Sequence, residues 1–557
     1  MAVSAEANVL PPFAQRTVVL TQAEHIELKH QRNYWQAQHE RLQQKYATLQ
    51  QELDAAQAMI RDLKQRLYGK KSEKKTCQRD SLSGTDVRGS GSPSGSTPRP
   101  RGQQRGSQGH GRTKRPDLPV VTEVYDVAAD DKQCPCCGLA YQALAHSEDS
   151  GIIEIEVKAY TRRIKRKKYV RRCQCTEVPG LITAPVAPRL IPKSGIGLSV
   201  WTEVLLSKYL FARATHNLCT DYAFRGLLLA PGTLTGGLKK IAPLLMPLLS
   251  RLEEKQLTES LFHSDETGWK VYEAIEGKVG YRWWLWVMQS QSVVYYLLMP
   301  SRSGDVPIEH FAGLDKHLDQ VIVVCDRYKA YQRLARENPV ILLAFCWAHV
   351  RRDFLDAARR WPILNDWMLD WVEQIGALYA LNKQRLAVWD EACLPQEQSP
   401  EFQAYQQRLE QAVQQMAVQR DQLLDSSELH PAQRDVLNSL ANHWAGLTVF
   451  VNHPVVPMDN NTAERRMRNP GMGRKNYYGS GSQWSADLAA ALFSLFQTVL
   501  LWGLNPHHWL YDYLQACANQ GGQVPDDLDP FIPWTMGEQR LDVLKKPLPS
   551  LTTGPPE

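Results

Sequence analysis

The sequence predicts a multidomain α/β protein that combines a mixed sheet with a coiled coil, a small zinc-binding module and a helical insertion. Three observations support this fold class. The chain has 557 residues, which is enough for three or four domains. Apolar, strand-like runs and helix-like segments alternate from residue 261 onward. A heptad repeat of apolar residues occupies the N-terminal region.

The heptad repeat predicts a coiled coil over residues 20–75. Two series of apolar residues recur at seven-residue spacing: Leu28, Trp35, Leu42, Leu49, Ala56 and Leu63, and then Tyr46, Leu53, Ile60 and Leu67. The flanking positions are polar and no proline interrupts the run. We therefore expect this segment to pair with a second copy of the chain and to form a homo-oligomer, in preference to contacting DNA directly.

Positive charge is concentrated in two segments near the N-terminus. Residues 61–118 hold 15 Lys or Arg against 5 Asp or Glu, and residues 158–172 hold 9 basic residues and no acidic one. Residues 76–118 are also rich in Ser, Gly and Pro, which predicts a basic flexible linker. Such charge favours a polyanion such as nucleic acid as partner, although a solvated basic linker is the alternative.

The cysteine pattern in residues 119–190 predicts a zinc-binding module. Cys134 and Cys137 form one pair of possible thiolate ligands, and Cys173 with Cys175 forms a second, a layout suited to tetrahedral Zn²⁺. Reduced core cysteines are the alternative, and Cys136 is a competing ligand. The basic strand between the two pairs is predicted to bind DNA phosphates through Arg162, Arg163, Lys165, Arg166, Lys167 and Lys168.

The rest of the chain divides by its hydrophobic pattern. Residues 191–260 predict helices that bind DNA or link domains, and residues 261–500 predict the α/β core, with a helical insertion at about 355–450. One strand is expected to extend to His349, and a last long helix to cover about 486–518. Residues 501–536 are assigned to a C-terminal helical segment and 537–557 to a disordered tail.

A membrane protein is not expected from this sequence. The N-terminus has no secretory signal pattern, so we expect a cytoplasmic, nucleoid-associated protein. The longest apolar stretch, residues 488–504, contains Ser494, Gln497 and Thr498, which favours a buried helix over a membrane span.

Three carboxylates are candidates for metal-dependent chemistry. Asp265 lies within one predicted strand, Asp326 follows another, and Glu464 lies in a later basic segment. Carboxylate oxygens are the ligands that Mg²⁺ prefers. The alternative for the aspartates is a turn or cap role. For Glu464 the alternative is a capping box with Asn461 as the N-cap.

Six ordered motifs resemble those of the insertion-sequence-66 transposases, over about residues 60–535. They are the LYGKKSEK run at 67–74, the paired cysteines, Asp265-Glu266-Thr267, CDRYKAY at 325–331, CWAHVRR at 346–352, and the segment from Asp459 to Asn476. The resemblance implies an RNase H-like core with a DDE active site. By this resemblance Asp265, Asp326 and Glu464 become the triad, separated by 61 and 138 positions.

The resemblance also implies a function. Two-metal phosphoryl transfer with Mg²⁺, or Mn²⁺, is expected to cleave element ends and join them to target DNA. Helper proteins from the same element are possible partners. Substrate phosphates are expected to contact Arg465, Arg468, Arg474 and Lys475, with His349 and Arg351 in support. For His349 the alternative is a structural histidine with satisfied hydrogen bonds. A catalytically inactive DNA-binding protein and a metal-dependent nuclease are the alternatives.

Overall fold

The computed structural model describes residues 21–68, 157–170 and 181–547 apart from Gly277, with isolated positions elsewhere between 19 and 179. The chain divides into a small unit, residues 76–158, and a large unit that contains the rest. In the small unit, Lys132 forms an ion pair with Asp126, and Cys136 and Cys137 are exposed.

The large unit contains seven strands and sixteen α-helices among its described residues. The strands are β1 (Lys168–Val170), β2 (Leu181–Thr183), β3 (Leu261–Lys270), β4 (Arg282–Gln289), β5 (Val294–Met299), β6 (Val321–Cys325) and β7 (Ile341–Phe345). The first eight helices are α1 (Gln22–Tyr68), α2 (Leu198–Leu205), α3 (Thr215–Phe224), α4 (Pro231–Gln256), α5 (Asp305–Phe311), α6 (Lys329–Glu337), α7 (Trp347–Arg360) and α8 (Asn365–Ala387). The others are α9 (Pro400–Leu424), α10 (Pro431–Asn442), α11 (Trp444–Leu447), α12 (Val449–Asn452), α13 (Asn461–Tyr477), α14 (Gln483–Leu501), α15 (Pro506–Asn519) and α16 (Glu538–Lys545).

Five strands form one mixed sheet in the order β5-β4-β3-β6-β7. The first three are antiparallel neighbours, while β6 runs parallel to both β3 and β7. The strand and helix types that the apolar runs predict are therefore confirmed for this mixed α/β core. β1 and β2 form a separate antiparallel pair.

Helices cover both faces of the five-stranded sheet. Successive side chains of a strand point to opposite faces, so β4 contributes Trp283, Leu285 and Val287 to one hydrophobic core. Trp286 and Met288 of the same strand belong to the second core. The first core includes α4, α14 and α15, and the second includes α6 to α9. The result is three layers, with the sheet in the middle.

α14 covers β5, the strand at one edge of the sheet. The backbone N–H groups of Val294 and Tyr296 donate to the hydroxyls of Thr498 and Ser494, at 3.0 and 2.8 Å. These bonds satisfy edge groups that would otherwise pair with another strand. Among the described helices, α14 alone is long and apolar enough to cross a membrane, but 72% of its most apolar window is buried. The expected buried helix is therefore observed.

The segment between β7 and α13 is helical, as expected for an insertion. Its helices α7 to α12 begin at Trp347, eight residues before the expected start. Arg385 of α8 is fully buried and donates to the backbone carbonyls of Phe450 and Val451 and to Gln406. These bonds tie α8 to α9 and α12.

α1 is a single helix of 47 residues. Its described heptad side chains, from Leu28 to Ile60, are exposed in the single chain, including Trp35 at 68% and Tyr46 at 71%. Ala58 is buried, and Arg61 donates to the carbonyl of Arg360, so the C-terminal half of α1 packs on α7. The apolar heptad positions are thus available to another helix.

Two expected boundaries were wrong. The last long helix is divided into α14 and α15, because Gly503 adopts a φ of +69° and Pro506 begins the next helix. Residues 537–547 are not a disordered tail, since they contain α16, whose Leu544 is fully buried. Residues 548–557 lie outside the described part of the chain.

Candidate active site

Asp265 and Asp326 lie side by side on two parallel strands. The last registered pair of β3 and β6 is His263 with Val324, and each aspartate lies two residues beyond its member of that pair. Since parallel neighbours advance together, both carboxylates reach the same end of the sheet. The Asp265 carboxylate accepts a hydrogen bond from the backbone N–H of Glu266, and that of Asp326 from the backbone N–H of Tyr328, both at 2.9 Å.

Glu464 reaches this end of the sheet from α13. Asn460 directly precedes the helix and is buried, with a side-chain amide that donates to the carbonyl of Ser264 at 2.7 Å. Its amide oxygen lies 3.3 Å from Nδ1 of His263. Asn460 therefore attaches the start of α13 to β3 and brings Glu464 towards the aspartates.

The three carboxylates lie close enough for the charges of Asp326 and Glu464 to act on Asp265. The pKa of Asp265 is raised to about 8 by burial first and then by the charges of Glu266, Asp326 and Glu464. Like charges in a partly desolvated site disfavour the ionised form. At neutral pH, Asp265 therefore holds a proton when no cation is bound.

Glu266, next to Asp265, has a different environment. Its side chain is 1% exposed and receives two hydrogen bonds from Arg302, at 2.6 and 3.1 Å, and one from Tyr331 at 2.8 Å. The Arg302 guanidinium lies over the rings of Trp284 and Tyr328. Burial raises the pKa of Glu266, while Arg302 opposes that rise. Glu266 is thus committed to a buried ion pair.

The residues present fit a hard divalent cation. Asp265, Asp326 and Glu464 offer oxygen ligands, which Mg²⁺ and Mn²⁺ accept. The raised pKa of Asp265 indicates unbalanced negative charge, which a bound cation would neutralise. Asp265, Asp326 and Glu464 are therefore the residues that would hold such an ion.

A second group of potential metal ligands adjoins the carboxylates. One ligand atom from each of Cys346, His349 and Glu464 lies within 4.8 Å of the others. Nε2 of His349 is 3.9 Å from the Glu464 carboxylate. His349 was expected within a strand, but β7 ends at Phe345 and His349 lies in the first turn of α7. Arg351 lies in the same helix and is half-buried.

The basic residues of α13 have two different roles. Arg465, Arg468 and Lys475 are exposed. Arg474 instead donates to the hydroxyl of Thr267 at 3.1 Å and to the carbonyl of Gly268, so it anchors α13 to β3. Of the four residues expected to bind phosphate, Arg465, Arg468 and Lys475 therefore have their charge at the surface, and Arg474 does not.

The capping-box alternative for Glu464 was wrong. α13 begins at Asn461, its N-cap is Asn460, and the Asn460 side chain makes no capping bond. Glu464 is the fourth helical residue rather than the third, and its own N–H donates to the Asn460 carbonyl. The Glu464 carboxylate is therefore not used in a cap.

The predicted zinc and DNA-binding residues of the N-terminal module are only partly described. Cys134, Cys173 and Cys175 lie outside the described residues, and Cys137 is exposed. The basic strand residues Arg162, Arg163, Lys165, Arg166, Lys167 and Lys168 are described and all are exposed. Arg166 donates to the carbonyl of Ala184, which joins the two strands of the β1–β2 hairpin.

Sequence reasoning missed the residues that support the triad. Asn460 and Arg302 were given no role, although each contacts the strand that carries Asp265 or its neighbour. In the sequence, Asn460 could be recognised only as an asparagine directly before a helix. Arg302 could be recognised only as an isolated arginine after a strand. Both signals are common, so neither identifies a partner.

Comparisons with known proteins identify relatives of this chain. The model of the family "Transposase IS66 family" matches residues 193–488, just over half of the chain and all three carboxylates. Three uncharacterized proteins of Sinorhizobium fredii (strain NBRC 101917 / NGR234) are similar. The y4jD protein is 24% identical over 79% of this chain and 85% of its own length. The y4hP protein is 24% identical over 69% and 70%, and y4qI is 22% identical over 74% and 76%. With the family model covering more than half of its length, the chain belongs to the IS66 transposase family.

Proposed function

We propose that this protein is a DNA transposase that binds the ends of its insertion sequence, cleaves them and joins them to target DNA by DDE chemistry. The observation that carries this proposal is the convergence of Asp265, Asp326 and Glu464 in a chain of a transposase family. A carboxylate whose pKa is raised by burial and by neighbouring carboxylates is typical of a site for metal-dependent phosphoryl transfer.

The arrangement of the sheet supports an RNase H-like core. Three antiparallel strands, β5, β4 and β3, continue into the parallel pair β6 and β7. The aspartates occupy adjacent central strands, and the third carboxylate comes from a helix that packs on β3. This arrangement supports our assignment of the RNase H-like fold that the sequence motifs imply.

The chemistry would be divided between a cation and the chain's own residues. Bound Mg²⁺ or Mn²⁺ would activate the attacking hydroxyl and stabilise the leaving oxygen. Asp265, Asp326 and Glu464 hold the cation in this proposal. Hydrolysis at the element end frees a 3′-hydroxyl, which then attacks a phosphodiester of the target, so that one bond forms as another breaks.

The exposed face of α13 supports contact with the DNA backbone. Arg468 and Lys475 follow Glu464 by 4 and 11 residues, which places all three on one side of the helix. Positive side chains in line with the catalytic carboxylate would bind phosphates on either side of the scissile bond. The exposed basic residues 162–168 would extend this contact.

The N-terminal segments have proposed roles in assembly. The exposed heptad residues of α1 would pair with those of a second copy, since an isolated apolar seam is unfavourable in water. Cys134, Cys137, Cys173 and Cys175 are proposed to bind a structural Zn²⁺. The protein would act in the cytoplasm, on DNA at the nucleoid, with helper proteins of the same element as possible partners.

The direct test is cleavage and strand joining by the purified full-length chain. Labelled DNA from both flanks of the gene is incubated with a target plasmid and Mg²⁺. Asp265→Asn, Asp326→Asn and Glu464→Gln should each abolish products. Asp305→Asn is the matched control, because this exposed carboxylate on α5 pairs only with surface groups. It should leave activity unchanged.

The alternatives predict other results in the same assay. Cleavage without any joined product would indicate a metal-dependent nuclease. DNA binding without cleavage, with or without Mg²⁺, would indicate an inactive DNA-binding protein. Full activity of a folded Glu464→Gln variant would remove Glu464 from the proposed triad.

A further inference from the structure

A compact group of three different ligand types lies at the N-terminus of α7. The Cys346 sulfur, one His349 ring nitrogen and one Glu464 oxygen lie within 4.8 Å of one another. Thiolate, imidazole and carboxylate are the three side-chain ligands that Zn²⁺ uses in proteins. Magnesium, by contrast, takes oxygen ligands and has little affinity for sulfur.

The fold holds the thiol in place. Cys346 is 1% exposed at the N-cap of α7. The backbone N–H of Asn460 donates to its sulfur at 3.2 Å. The same residue attaches α13, and therefore Glu464, to β3. One buried asparagine thus fixes the distance between the thiol and the carboxylate.

The imidazole of His349 is available as a ligand. Its Nδ1 atom is buried and has no hydrogen-bond partner among the described residues. Its other nitrogen faces Glu464 at 3.9 Å, which is longer than a hydrogen bond. A buried polar atom without a partner calls for an explanation such as an ion or ordered water.

We propose that Cys346, His349 and Glu464 bind a divalent transition-metal ion of the Zn²⁺ class, at a site distinct from the magnesium site. Three protein ligands leave a fourth tetrahedral position for water or a substrate oxygen. Glu464 belongs to both sites. Bound Zn²⁺ would withdraw Glu464 from Asp265 and Asp326 and would inhibit Mg²⁺-dependent cleavage. This inhibition rests on the proposed function, whereas binding of the ion does not.

Binding of Co²⁺ to the full-length chain tests the site without DNA or catalysis. Cobalt bound to thiolate absorbs in the near ultraviolet, and titration counts the ions that Zn²⁺ displaces. Cys346→Ser and His349→Gln should each bind about one Co²⁺ fewer than the wild type. The comparison is made between variants because the other predicted cysteine ligands also bind cobalt.

Three controls make the result decisive. Cys219→Ser removes another buried cysteine, in α3, and should leave the cobalt count unchanged. Asp265→Asn and Asp326→Asn remove only oxygen ligands and should leave the cobalt–thiolate absorption unchanged, so failure of the DDE proposal is distinguishable from failure of this one. Thermal melting in chelator verifies folding, and His349→Gln decides the question if Cys346→Ser does not fold. An unchanged cobalt count in folded His349→Gln would overturn the proposal.

Discussion

The proton that Asp265 holds at neutral pH should make binding of Mg²⁺ at the proposed site dependent on pH. A cation binds the ionised carboxylate, so binding must release that proton. The pKa of Asp265 is about 8 in the metal-free protein because of burial and the neighbouring carboxylates. Raising the pH towards 8 removes the proton before the ion arrives. Magnesium affinity should therefore increase as pH rises.

The size of the effect follows from linkage of one proton to one ion. Well below pH 8 the dissociation constant for Mg²⁺ should fall about tenfold per pH unit. Between pH 6 and pH 8 the total change should be about fifty-fold, because half of the Asp265 population is already ionised at the upper limit. Above pH 9 the affinity should be almost constant.

Titration calorimetry of the full-length protein measures this dependence. Repeating each titration in buffers of different protonation enthalpy reports the number of protons released, which should approach one at pH 6. Asp265→Asn should bind Mg²⁺ more weakly and without this dependence. Equal wild-type affinities at pH 6 and pH 8, with no proton release, would show that Asp265 is not a ligand or is already ionised.

Three more predictions concern stability, measured by urea unfolding in chelator. Asp265 keeps a proton in the folded state that the unfolded chain releases above about pH 4, so it destabilises the fold as pH rises towards 8. A folded pKa of about 8 against the usual value of 3.8 corresponds to a destabilisation on the order of 5 kcal/mol at pH 8, so Asp265→Asn should gain about that much at pH 8 and little at pH 4. A gain that is equal at both pH values would contradict this reasoning. Gly479→Ala should lose about 2–4 kcal/mol, because φ is +145° and a Cβ would lie 2.1 Å from a β3 carbonyl oxygen. Gly481→Ala, in the same loop, meets no atom within 4 Å and should change stability by less than about 0.5 kcal/mol. Glu266→Gln should lose about 1–3 kcal/mol by leaving Arg302 without a charged partner, and no loss would show that the pair adds nothing.

The strands of the central sheet could be predicted because each is a short apolar run bounded by turn residues. Val321–Cys325, for example, is buried throughout and reads as a central parallel strand. The order of the strands could not be predicted, because it depends on pairing between residues far apart in sequence. β3 pairs with β6, about 60 residues later, only in the folded chain.

The three candidate carboxylates could be proposed from motifs, but the contacts that position them could not. Asn460 binds Ser264 across 196 positions, and no local pattern encodes such a partner. Arg474 shows the opposite difficulty: a basic residue near the site was expected to bind phosphate, but its partners are Thr267 and Gly268 of β3. A charge in the sequence does not state whether solvent or backbone receives it.

The helix boundaries were hardest to predict where apolar periodicity continues across a break. Residues on both sides of Gly503 are apolar, which conceals the separation of α14 from α15. In the C-terminal segment, Leu544 was passed over because the neighbouring lysines and prolines favour disorder. Its burial depends on a surface formed by the rest of the fold.

The long interval between Asp326 and Glu464 has a consequence during translation. The ribosome adds roughly 5–20 residues per second, so these 138 positions take about 7–30 s to synthesise. A nascent chain can contain both aspartates during that time while Glu464 does not yet exist. Fragments released by premature termination in this interval would lack the third carboxylate as well. Under the proposed mechanism, incomplete chains would therefore have no complete metal site and no nuclease activity.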